Sequence, residues 1–175
     1  MIWGAFLLAS TCWAITFGWA SGNFWVKIGL SVMAVFLYSL FWQRPKISFQ
    51  LCSFLLGLLS AAVLYLIFLL GYKLTSHILP EVNAQVGGIY SLGVGTNKVL
   101  IFLLLFFITG PGEEIFWRGF LQDRLMKRWG NFSGYLVTTT LYAGVHVSSW
   151  NLMLIVAALW PVPFGDFCIS GKEIC

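Results

Sequence analysis

The sequence predicts an all-α fold, a polytopic transmembrane bundle of five to six spans. Three observations lead there. Of 175 residues, 59% are hydrophobic and only 9% are charged. The mean hydropathy of +0.88 exceeds what a soluble domain of this size needs. The apolar residues also fall into runs suited to crossing a hydrocarbon core of about 30 Å. The length fits one compact membrane domain, residues 1–175, with no room for a second. The net charge of +4 is scattered rather than gathered on one face, which excludes nucleic acid as a partner and leaves the lipid bilayer.

Ile2 to Ala20 is apolar apart from small polar residues such as Ser10, Thr11 and Thr16. A signal peptide would carry a basic leading region, so this run reads as a first transmembrane helix. Ser21-Gly22-Asn23 turns the chain, and Trp25 to Trp42 forms the second span, closed by Gln43-Arg44-Pro45-Lys46. Leu51 to Gly71 is the third, long enough to cross at 1.5 Å per residue. Tyr72 to Asn97 holds Pro80, Glu81 and Gly87-Gly88 and is expected to be a long loop or re-entrant segment, with His77 a solvated loop histidine. A fourth span starts near Val99. Pro111 within it either opens a new helical segment or kinks a continuous one.

Asp123 to Arg128 is a basic, amphipathic exit, and Trp129-Gly130-Asn131 makes the next turn. Asn131 or Ser133 is expected to cap a fifth span over Gly134 to Val147, and Trp150 to Trp160 begins a sixth. Cys12, Cys52, Cys168 and Cys175 show no metal or disulfide spacing, and those in apolar runs read as small core residues. Arg44, Lys46, Arg124, Lys127 and Arg128 fall on one side of this topology, and Lys73 and Lys98 on the other. The positive-inside rule makes the first side cytoplasmic, with the N-terminus, in a plasma or inner membrane.

The fourth span carries the chemistry. Gly110-Pro111-Gly112-Glu113-Glu114-Ile115-Phe116-Trp117-Arg118-Gly119 follows directly on an apolar run, and ionisable residues at that depth point to function. Glu114 and Arg118 stand four apart with the acid first, the favourable order for an intrahelical ion pair. Glu113 points roughly 100° away on a helix of 3.6 residues per turn, free for chemistry. The fifth span carries one ionisable group, His146, with Tyr142 four residues before it on the same face. Positions 113 and 146 are equidistant from the Trp129-Gly130-Asn131 turn. In an antiparallel hairpin they share a depth, so Glu113 and His146 are expected to face each other. An acid and an imidazole in a low-dielectric cavity are the raw material of general acid/base hydrolysis.

Glu113-Glu114-Ile115-Phe116-Trp117-Arg118 fits an EExxxR motif, and Tyr142-Ala143-Gly144-Val145-His146 an [FY]xxxH motif about thirty residues on. Together they resemble the CPBP family of CAAX proteases, Abi proteins and bacteriocin-processing enzymes, over about Val99 to Ala158. The resemblance implies an intramembrane endopeptidase acting on a peptide or protein substrate. It gives Glu113 the role of activating water and assigns His146, with Glu114 and Arg118, to the catalytic set. The family's further HxxxN or HxxxD motif does not occur after His146. Trp160 to Cys175 neither spans nor shows helical periodicity, so a truncation or altered reading frame is expected, with a loosely packed tail. Asn151 would be the poor substitute for the lost amide donor, beside Ser148 and Ser149.

Other readings compete. A metal-dependent protease is the less favoured variant: Glu113 and His146 could both ligate zinc, but zinc wants three protein ligands plus water and Glu114 is a weak third, so the ligand count supports no cofactor. A second hypothesis is a membrane immunity or binding protein that keeps the fold without turnover. A proton-relaying transporter would use the same Glu-Arg-His set, though short length and lack of repeat symmetry speak against it. A buried ion pair that only fixes helix register is the plainest alternative.

Overall fold

The computed structural model describes residues 1–43, 51–78 and 81–159, and every regular element among them is helical. The all-α class expected from composition is the one observed. Arg44, Pro45, Lys46, Pro80 and the Trp160 to Cys175 tail lie outside the described residues.

Helix α1, Ile2–Gly18, and helix α2, Phe24–Trp42, form an antiparallel hairpin. Its turn is closed by Asn23, whose side chain accepts from the backbone N–H of Trp25 and Val26 and so caps α2. Ala5 and Ala9 of α1 are fully buried. Small residues let two helices approach in lipid, where no hydrophobic force drives them together, and hydroxyl groups add cohesion. Here the Thr16 and Ser31 hydroxyls meet at 2.8 Å, and Ser31 also donates to the Cys12 carbonyl at 3.2 Å. Cys12 is a free, half-buried thiol, while the Cys52 side chain and the last two cysteines are outside the described set.

Helix α3, Leu51–Ile78, is longer than its apolar core, and helix α4, Glu81–Ser91, follows it. The expected loop over Tyr72 to Asn97 is therefore mostly helical among the described residues, with a short turn at 92–97. Tertiary bonds outweigh the helix cost of Gly87 and Gly88, about 1 kcal/mol each. Tyr72 donates to Asn83 Oδ1 at 2.9 Å, and the Gln85 carbonyl accepts from Asn151 Nδ2 at 2.8 Å. His77 sits exposed in the last turn of α3, solvated as expected but on a helix.

Helix α5 runs continuously over Lys98–Trp129, 32 residues, and is long and apolar enough to cross a membrane, as is α2. Gly130, at φ 84°, ends it and serves as the N-cap of helix α6, Asn131–His146. Asn131 and Ser133 therefore lie inside the helix and cap nothing, a correction to the expected start. Gly134 packs so tightly on α5 that a Cβ there would come within 2.3 Å of the Met126 nitrogen. Helix α7, Leu152–Leu159, completes the described chain. The core lies where α1, α2, α5 and α6 meet, around Trp13, Val32, Phe116, Trp117, Phe120 and Leu121.

Candidate active site

The glutamates sit where α5 departs from regular α-helix. Proline lacks an N–H and its ring crowds the carbonyl four residues back. Leu105–Thr109, just before Pro111, winds as π-helix, and Gly110 N–H reaches back five residues to Leu105. That wider turn admits the ring, so Pro111 opens no new helix and lies within a continuous one. A second π segment, Ile115–Gln122, follows the glutamates directly. Gly112 brings this turn against α2, where an added Cβ would lie 2.5 Å from Val32 Cγ1.

The ion pair that simple spacing predicts is present. Arg118 Nε stands 3.8 Å from Glu114 Oε2, and the Glu114 side chain is 63% exposed against 20% for Arg118. Glu114 therefore pairs from the exposed side of the helix. The Arg118 guanidinium also lies over the Tyr142 ring, 4.7 Å from its centroid.

Glu113 faces α6, as the hairpin register requires. The Tyr142 hydroxyl donates to Glu113 Oε2 at 2.7 Å, the length of a charge-assisted bond. Tyr142 and His146, one turn apart, stack edge to face with centroids 4.7 Å apart. His146 Nδ1 lies 2.8 Å from the Tyr142 carbonyl. The four sequence-predicted residues therefore gather around one tyrosine. Glu113 meets its hydroxyl, Arg118 covers its ring, and His146 packs beneath it, while Glu114 stands at the margin. Glu113 and His146 both contact Tyr142.

Two further residues belong to the cluster. Trp13 of α1 is fully buried and directs its indole N–H to His146 Nε2 at 3.4 Å. Trp117, also fully buried, packs on Tyr142 with centroids 5.2 Å apart. A tryptophan in an apolar helix carries no periodic signal of a polar partner, and Trp13 lies far from His146 in sequence, so neither was legible. The expected substitute donors are otherwise engaged. Asn151 donates to Gln85 and accepts from Met153 N and Leu154 N, capping α7. Ser148 and Ser149 donate to the carbonyls of Val145 and His146. Among the described residues no three His, Cys, Asp or Glu side chains converge.

A model of the type II CAAX prenyl endopeptidase Rce1-like family matches residues 95–168. The match contains both motifs and all of Glu113, Glu114, Arg118, Tyr142 and His146. Residues 95–168 are CAAX-protease-like. The resemblance drawn from EExxxR and [FY]xxxH is borne out over this stretch, and it points to an intramembrane protease of CAAX type in general. The match over this stretch and the two long apolar helices fit a membrane protein. No curated protein and no solved structure matches the chain.

Proposed function

We propose that the chain is an intramembrane endopeptidase in which Glu113 draws a proton from water for attack on a peptide carbonyl. The hydrogen bond from Tyr142 to Glu113 inside the helix pair supports this most directly. It occupies Oε2 and leaves Oε1 to accept from water. As the water oxygen bonds to the carbonyl carbon, its proton passes to Glu113. The tetrahedral intermediate then breaks its C–N bond, and Glu113 returns the proton to the departing nitrogen. Arg118 supplies a fixed positive charge beside the reacting centre, and His146 holds the Tyr142 ring from below. Glu114 tunes Arg118 from the margin. The whole chain acts as one membrane domain, with its N-terminus cytoplasmic in a plasma or inner membrane.

A second reading, retention of the fold without turnover, draws on Ser148, Ser149 and Asn151, whose groups are engaged elsewhere. Removing one oxyanion donor typically costs about 10²–10³ in rate. The experiment is hydrolysis by the full chain in detergent of internally quenched peptides ending in Cys-aliphatic-aliphatic-X, with and without a prenyl thioether. Cleavage that disappears in Glu113→Gln supports the protease, and cleavage of the prenylated probe alone assigns the CAAX class. No cleavage of either probe by the native chain, in a preparation shown to be folded, favours the second reading.

A further inference from the structure

We infer that Trp13, on the first helix and outside the matched segment, is a positioning residue that fixes the His146 ring by a hydrogen bond from its indole N–H to Nε2. The inference rests on the proteolytic reading for its consequence and on geometry for its content. The indole nitrogen is a donor only, and a backbone carbonyl is an acceptor only. With Trp13 Nε1 3.4 Å from Nε2 and the Tyr142 carbonyl 2.8 Å from Nδ1, the imidazole proton has one place to sit. It is on Nδ1, and Nε2 carries the lone pair.

The ring is also held by packing on both sides. Trp13 meets it edge-on at 5.9 Å and 68°, and Tyr142 at 4.7 Å and 69°. Trp117 stands behind Trp13 at 6.4 Å, nearly perpendicular. The His146 lone pair therefore points at α1. His146 accordingly acts through Tyr142, whose ring it supports and whose hydroxyl orients Glu113. Trp13 closes this chain from the opposite side of the bundle, and it makes α1 part of the site.

Replacing Trp13 by 3-benzothienylalanine keeps the bicyclic shape and removes only the N–H. Trp13→Phe removes the N–H and part of the volume as well. In a His77→Gln background, ¹⁵N-histidine NMR in detergent reads His146 alone. The native ring is expected in the neutral form protonated at Nδ1. The isostere is expected to keep the proton on Nδ1, where the Tyr142 carbonyl still accepts it, but to move the Nε2 resonance downfield as its hydrogen bond is lost. It is also expected to lower kcat on the quenched peptide about fivefold, with KM unchanged, the worth of one neutral hydrogen bond. A purely packing role would leave both readouts at their native values in the isostere. An unchanged Nε2 resonance, or an unchanged kcat in an active preparation, overturns the inference. If the native chain cleaves nothing, the proteolytic reading falls while the Nε2 resonance still decides whether Trp13 holds the ring.

Discussion

The Tyr142 hydroxyl, 2.7 Å from Glu113, allows the mildest disturbance of the carboxylate that the site offers. The motif tolerates phenylalanine at this position, so Tyr142→Phe is expected to pack normally. A hydrogen bond to a charged group is worth about 1.5–3 kcal/mol, so kcat should fall about tenfold or more at constant KM. Steady-state kinetics on the quenched peptide measure it, and a loss confined to KM would instead make Tyr142 a substrate contact. Glu113→Gln keeps an acceptor for the tyrosine but cannot take a proton. It should remove activity altogether and leave thermal unfolding close to native. Full turnover by that variant would mean the base lies elsewhere. At this scale the sequence was informative where residues were neighbours in register. Glu113, Tyr142 and His146 follow from two motifs and one turn. The engagement of Asn151 did not, because the packing of α4 on α7 decided it.

Helices were legible wherever an apolar run was long, since burial of backbone polar groups in lipid leaves few alternatives to helix. Helix α4 was not, because its polar, glycine-containing text is held by bonds to Tyr72 and Asn151 from other elements. The two π segments were equally hidden, although Pro111 marked the place. Close helix approach gives a test at this scale. Gly112→Ala would drive a methyl to 2.5 Å from Val32 Cγ1, a fully buried group, and overpacking of this kind costs about 1–3 kcal/mol. Val32→Ala opens the space, so in that background Gly112→Ala should be nearly neutral. A double-mutant cycle on unfolding in detergent reads the coupling. Additive losses would show that α2 and the glutamate turn are not in contact. Gly134→Ala differs, because its methyl would meet the Met126 backbone at 2.3 Å and no rotamer change can relieve that. Substitution of Met126 should therefore bring no rescue.

The whole bundle has two ends, each tied by bonds between distant segments. At one end Tyr38 donates to the Met1 carbonyl, Gln43 to the Gly119 carbonyl and Arg124 to the Trp42 carbonyl. The N-terminus, the end of α2 and the basic end of α5 thus share one face. At the other end Asn23 donates to Thr96 and Trp25 to the Leu92 carbonyl, which puts the α1–α2 turn beside the start of α5. Arg124, Lys127 and Arg128 fall at the first end and Lys27 and Lys98 at the second. The positive-inside rule then predicts that the first end is cytoplasmic. The measurement is labelling of single cysteines by a membrane-impermeant maleimide, in a background without the native thiols. Arg128→Cys should react only in inside-out vesicles, and Thr96→Cys only in right-side-out vesicles. The reverse pattern would invert the orientation and keep the bundle. Both sites reacting from one side would break the pairing of ends, and with it the register that brings Glu113 to Tyr142.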